Sequence, residues 1–519
     1  MLEIKDLSIS IDDRYLIRNL NLVLNKGDKL AIIGEEGNGK STLLKSILGI
    51  CDYANVTGII NYKNNRIGYL EQSISDDYLN KSVYDFLFTD DNDYYSKIND
   101  LYKNLDIIRL NDSILKQKIN TLSGGEKVKI SILKLILNNY DILLLDEPTN
   151  DLDIDSLEWL EKFINSTLKP IIYVSHDETL LENTANMILH LEQRKKKIEC
   201  VHTLVKVDYD TYISDRIRKL QKQEQISKSE KREYNKQKEK LMKVMQKVEY
   251  QQDTISRSNP FGAAILKRKM HTLKSQEKKL ENTNITEMPD VEESINFFFE
   301  DVEIPRFKKI IKLKDLDLVV NNKIIATNIN LEVVGNTHLC IIGKNGIGKS
   351  TLIKLIYNEL KNRSDINVGY MPQNYDEILN NYDDVLSFIC SDSSKEEITK
   401  VRMYLGNMKF TRDEMTGKIK DLSNGSKAKL FLIKLVLNKC NVLILDEPTR
   451  NLSPLSNPVI RKVLKEFNGT IISVSHDRKY INEVVDSLYV LTPSGLKKRN
   501  KYNVFILKFK LYFSIISLY

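Results

Sequence analysis

The 519-residue chain lacks any cysteine framework: Cys51, Cys200, Cys340, Cys390 and Cys440 lie far apart and form no C-x-x-C pair. That spacing argues against a zinc site and a disulfide scaffold, and makes a reducing interior the expectation. No secretory leader is expected either. The opening MLEIKDLSISIDDRYL alternates apolar residues with acids where a leader needs a basic start and an apolar run. Long apolar runs are absent as well. The best membrane candidate, residues 502–519, carries Lys508 and Lys510 in its middle and is expected to be a non-spanning appendage without catalytic role. These absences predict a cytoplasmic protein with no membrane partner. At 41% hydrophobic and 29% charged residues there is ample material for cores. The length calls for several of them, because single cores stop growing at about 250–300 residues.

What the chain does have is an internal duplication. GEEGNGKST (Gly34–Thr42) returns as GKNGIGKST (Gly343–Thr351), and both fit G-x-x-x-x-G-K-[ST] after a short apolar run and before a helix-like segment. Such a loop cradles phosphate: its glycines turn backbone N–H groups inward, and a helix N-terminus faces the anion. Gly34, Gly37, Gly39 and Thr42 belong to the first cradle, and Gly343, Gly346, Gly348 and Thr351 to the second. Lys40 and Lys349 are placed to reach the β/γ-phosphates of ATP, and Ser41 and Ser350 to hold Mg²⁺. The repeat continues. IGYLEQ, ending at Gln72, matches VGYMPQ, ending at Gln373, and LSGGE from Leu122 matches LSNGS from Leu422. Ser123 and Ser423, Glu147 and Glu447, and His176 and His476 are each 300 apart, whereas Lys40 and Lys349 are 309 apart and Gln72 and Gln373 are 301 apart. The halves therefore differ mainly by a short length change after the phosphate loop.

Each repeated element carries chemistry. Asp146 and Asp446 end apolar runs and can bind Mg²⁺, while the adjacent Glu147 and Glu447 can polarise an attacking water. Ser123, Gly124 and Gly125, like Ser423 and Gly425, precede a helix and suit an anion. Ser123 with Glu126 also reads as a capping box, and both readings can hold at once. His176 and His476 follow apolar runs and can contact a γ-phosphate or simply be satisfied, capped histidines.

Uninterrupted apolar runs such as Ile142–Leu145 and Ile171–Val174 suit parallel strands buried on both faces. The fold class is α/β, with nucleotide-binding domains over 1–205 and 306–500, a linker over 206–305 and a tail over 501–519. Between Arg216 and Thr283 there are 19 Lys or Arg against 8 Asp or Glu, a net of +11. The whole chain carries +7, so the rest is net acidic. Residues 212–250 lack Gly and Pro and predict a helix of about 58 Å. After RSNPFG a second helix is expected over 263–280. Its Leu266, Leu273 and Leu280 would face Leu241, Met245 and Val248, with a tip near Ile255, Arg257 and Phe261. A basic hairpin with an apolar tip points to a nucleic-acid partner.

The order of phosphate loop, glutamine, LSGGE signature, DEP strand and histidine resembles the ATPase cassette of ATP-binding cassette (ABC) proteins. Tandem cassettes, a charged helical linker and DEPTN-x-LD (Asp146–Asp153) resemble the F subfamily, whose members act on ribosomes. The resemblance implies ATP hydrolysis in one chain, a monomer whose two cassettes pair head to tail. Lys40 would face Ser423, and Lys349 would face Ser123. Gln72 and Gln373 would help hold Mg²⁺, and Tyr15, 25 residues before Lys40, would stack on adenine, with Ile324 at the second position. The hairpin would enter the ribosomal tRNA exit site. Only 51 and 50 residues separate the glutamines from the signature serines, and DEPTRNLSPLSNPVIR (Asp446–Arg461) closes the second cassette. Both features resemble the antibiotic-resistance branch, which implies displacement of lincosamides, streptogramin A compounds and pleuromutilins. A housekeeping translation factor and the tandem ATPase of a transporter are the alternatives. Departures are Glu36 where the second loop has Asn345, Asn424 and Ser426 in the second signature, and Ser453 where the first half has Asp153. The two ATP sites are expected to be unequal, the Lys349 site being the faster.

Overall fold

The protein is described by a computed structural model over residues 1–12, 14–88, 94–108, 110–194, 199–255, 260–283, 286, 288, 299, 303–320, 323–390 and 394–500. Arg257 and the tail 501–519 lie outside the described residues. The first half supplies β1 (Leu2–Ile11), β2 (Arg14–Leu24), β3 (Lys29–Ile33), β4 (Asn55–Asn61), β5 (Ile67–Leu70), β6 (Ile142–Asp146), β7 (Ile171–Val174), β8 (Met187–Arg194) and β9 (Glu199–Val205). The second supplies β10 (Lys309–Val320), β11 (Lys323–Val334), β12 (His338–Ile342), β13 (Val368–Met371), β14 (Val442–Asp446), β15 (Thr470–Val474), β16 (Ser487–Thr492) and β17 (Gly495–Arg499).

The continuous apolar runs behave as their composition requires. β3, β6, β7, β12, β14 and β15 are buried along their whole length. They lie at the centre of two six-stranded sheets of identical order, β5-β6-β7-β3-β8-β9 and β13-β14-β15-β12-β16-β17. All neighbours are parallel except the antiparallel last pair of each sheet. Covering both faces of a parallel sheet needs two further layers. One is an antiparallel sheet whose Leu2, Ile4, Leu7 and Ile9 pack on the helix after the phosphate loop, through Leu43, Leu44 and Ile47. The other is helical, gathered around Leu101, Leu105, Ile119 and Leu133. The second half repeats both.

The length change between the halves has a structural form. In the first half β4 adds a third strand to the antiparallel sheet, in the order β2-β1-β4. Among the described residues the second half pairs only β10 with β11.

By its packing the chain divides into two units, one gathering both halves and the other comprising Asp210–Val291. The second unit is helical. One helix runs over Tyr209–Thr254 and the next over Pro260–Glu281. Both exceed the lengths expected from sequence. Nothing in residues 209–211 or 251–254 breaks a helix, and Pro260 suits a first helical position because its missing N–H is an orphan there anyway. Sheltered positions recur at three- and four-residue steps, at 241, 245, 248, 252 and 255 and at 266, 270, 273, 277 and 280. That spacing is coiled-coil-like, with Val248 and Leu273 buried. Beyond the second helix Thr286 N–H donates to Glu230 at 2.7 Å, so the chain doubles back along the first.

Candidate functional site

Each phosphate loop leaves a parallel strand and enters a helix that begins at its lysine, Lys40–Leu48 and Lys349–Leu360. The turn requires glycine at its entry. Gly34 has φ +144° and Gly343 φ +157°, and a Cβ would fall 2.3 Å from Leu191 O or 2.8 Å from Leu491 O. The lysines fold onto their own loops: Lys40 Nζ donates to Gly34 O and Glu35 O at 2.8 and 2.9 Å, and Lys349 Nζ to Gly343 O and Lys344 O at 2.8 and 3.0 Å. Parallel-strand register brings the DEP segments alongside. Ser41 Oγ donates to Asp146 at 2.9 Å and Tyr69 OH to the same carboxylate at 3.1 Å. Glu147 and Glu447 hold left-handed backbone, φ 48° and 55°, at both strand ends. Such values are uncommon outside glycine and often mark functional positions.

The two glutamates differ electrostatically. Burial would push the Glu147 carboxyl up, but His176, 3.5 Å away, and Asn150, donating at 2.6 Å, outweigh it and bring the pKa to about 2. Gln72 Nε2 donates to the same carboxylate at 3.1 Å. Glu447 accepts from the His476 backbone N–H at 3.2 Å, yet burial and the Asp446 charge push it up to about 8. His476 is pushed down to about 3 by burial and by the Lys349 charge. Burial raises Asp146 and Asp446 as well.

The signatures begin helices Gly124–Leu137 and Asn424–Leu437. Ser123 and Glu126 form the capping box, and Ser423 caps the second helix by accepting from Ser426 N–H without the reciprocal acid. Each signature lies against the phosphate loop of the other half. Gly124, Gly346, Lys349, Ser350, Gln373 and Glu447 line one cavity of 820 Å³, which extends to Gln72, Glu147 and His176. Asn345 donates to Asp151 O, and Arg450 pairs with Asp151 at 2.8 Å. Lys40 and Ser423 do not share that cavity. A separate pocket of 30 Å³ touches Glu36, Ser423 and Gly425 but not Lys40, Ser41 or Asp146. His176 Nδ1 reaches Leu452 O of the other half at 2.9 Å.

Tyr15, 25 residues before Lys40, is 42% exposed with the Arg18 guanidinium 4.1 Å over its ring. Beside Lys349 the apolar lining comes from Val320 and Ile325, while Ile324 is 62% exposed. Strand alternation explains the difference, since neighbouring residues point to opposite faces.

Sequence reasoning also missed a charge quartet between the halves. Glu161 and Arg461 are 300 residues apart, as are Glu178 and Arg478. Arg461 binds Glu178 at 2.5 and 3.1 Å and Glu483 at 2.9 Å, and Arg478 binds Glu161. All four side chains of the quartet are buried. Acid in one half and base in the other, at matching positions, was a signal open to inspection.

Residues of the large cavity suit Mg²⁺ and a nucleotide. Both Asp446 carboxylate oxygens and both His476 ring nitrogens are buried without a hydrogen-bond partner, beside the Ser350 that lines the same wall. One carboxylate and one hydroxyl are what a cation needs when phosphates complete its shell.

The ABC transporter family matches residues 17–150 and 326–450. ATP-binding protein Uup of Buchnera aphidicola subsp. Acyrthosiphon pisum is 31% identical, over 95% of this chain and 81% of that protein. ABC transporter F family member 5 of Arabidopsis thaliana is 24% identical, over 91% and 72%. In fold the chain is similar to the archaeal ribosome recycling factor aABCE1, solved with ribosomal stalk protein aP1 (TM-score 0.59, 18% identity, 95% of this chain and 90% of that one). No described helix is long and apolar enough to cross a membrane. With its doubled phosphate loops, signatures and DEP strands, the chain belongs to the ATP-binding cassette family, as a tandem-cassette protein resembling the F subfamily.

Proposed function

We propose that the chain is an ATPase that works on ribosomes, closing its paired cassettes on nucleotide and applying the basic hairpin to ribosomal and transfer RNA near the exit site. The observation that carries the enzymatic half is the sharing of one cavity by the Lys349 loop and the first signature. Lys349 and the loop N–H groups bind the phosphates, Ser123 and Gly124–Gly125 meet the terminal phosphate from the other half, and Val320 and Ile325 support the base. Ser350, Asp446 and Gln373 hold Mg²⁺, which supplies charge neutralisation at the β/γ-phosphates. Glu447 orients the attacking water, and His476, kept neutral, contacts the γ-phosphate. Lys40, Ser41, Thr42, Gln72, Asp146, Glu147 and His176 take the same roles in the first cleft, opposite Ser423 and Gly425.

The RNA half rests on the hairpin, whose net +11 contrasts with a net acidic remainder. Its phosphate contacts predict binding that weakens with salt, the slope dropping by about one per lysine neutralised. Phe261, 78% exposed, and Ile255 stand at the tip. An apolar tip at the peptidyl-transferase centre supports protection against lincosamides, streptogramin A compounds and pleuromutilins. Similarity to Uup and F family member 5 suits equally a translation factor acting on stalled ribosomes. A transporter ATPase has no use for the hairpin's charge.

Glu147→Gln/Glu447→Gln protein loaded with ATP is expected to co-sediment with ribosomes, and its absence from the pellet overturns the reading. Drug susceptibility with and without Phe261→Ala then separates protection from housekeeping: a translation factor leaves it unchanged.

A further inference from the structure

The offset of 309 that superposes the phosphate loops puts Glu36 where the second loop has Asn345. The side chains do different things. Asn345 donates to the backbone of Asp151 and leaves the first signature open on the large cavity. Glu36 instead crosses to the second signature, where its Oε2 accepts from Gly425 N–H at 2.5 Å. Glu35 follows, its Oε1 pairing with Lys429 Nζ at 2.9 Å one turn further along the same helix. A helix N-terminus offers unpaired N–H groups and partial positive charge, which a carboxylate satisfies as a phosphate does.

We propose that Glu36 decides how the first cleft answers to nucleotide: its carboxylate takes the anion position on the second signature. The chain's own acidic loop ties itself to that signature, and a terminal phosphate engages Ser423 and Gly425 only after Glu36 is displaced. This rests on reading the clefts as ATP sites. Two anions repel at one helix terminus, so the acid selects against the ligand with the outermost phosphate, ATP more than ADP. The altered signature fits the same logic. Ser426 stands where the first signature has Glu126, and a second acid there would repel Glu36.

The test uses the full chain with Lys349→Ala, so that calorimetric binding reports on the Lys40 loop. Glu36→Asn is expected to tighten MgATP on the order of tenfold and MgADP much less. Unchanged or weaker ATP binding overturns the proposal. A second measurement keeps Lys349 intact and reads the latch without nucleotide: the spin-label distance between the first phosphate loop and the second signature. Glu35→Gln/Glu36→Asn is expected to lengthen and broaden it, and an unchanged distance overturns the latch. If no variant binds ATP at all, the ATP-site reading fails while the distance still decides whether Glu36 holds the cleft.

Discussion

The two clefts are built from the same parts and differ at their lips. At one, Glu35 and Glu36 reach across to Lys429 and Gly425 of the second signature helix; at the other, Asn345 donates to the backbone of Asp151 beside an 820 Å³ cavity. An Asn-to-Glu difference converts a donor to the neighbouring loop's backbone into an acceptor for a helix N-terminus. Duplication thus left two loops that meet the facing signature through different contacts.

The quartet is where that asymmetry can be broken most severely. Arg461→Glu would leave the buried Glu178 opposite an acid, and breaking a buried pair costs about 3–5 kcal/mol. Denaturant unfolding is expected to show that loss, and Glu178→Arg in the same chain to restore part of it, since Glu483 and Lys479 then meet like charge. A loss under about 1 kcal/mol would mean the pairs do not hold the halves together. Next in size is turnover. Glu447→Gln is expected to cut phosphate release by about 10²-fold or more, and Lys40→Ala to change it by far less. Equal losses from both would erase the distinction between jaws. The smallest effect is local. Ser426→Glu would complete the missing capping box, a gain of about 0.5–1 kcal/mol in a Glu36→Asn background and nothing with Glu36 present. Thermal unfolding of the four combinations checks that coupling, and equal gains would show that the two positions do not sense each other.

Much of this was legible beforehand. Apolar runs without alternation named the buried strands, and LSGGE named both the capping box and the helix that follows. Local signals failed where chain ends met neutral sequence: the long helix overran its expected limits at both ends, and Pro260 started the next one early.

The chain's residues by themselves determined the duplication, the buried parallel strands and the charge of the hairpin, because these follow from composition and short-range pattern. Only the tertiary structure decided that Glu36 meets Gly425, 389 residues away, and that Glu161 meets Arg478 rather than Arg461, its own counterpart. Those pairings depend on the head-to-tail approach of the two halves, a geometry that no local stretch encodes.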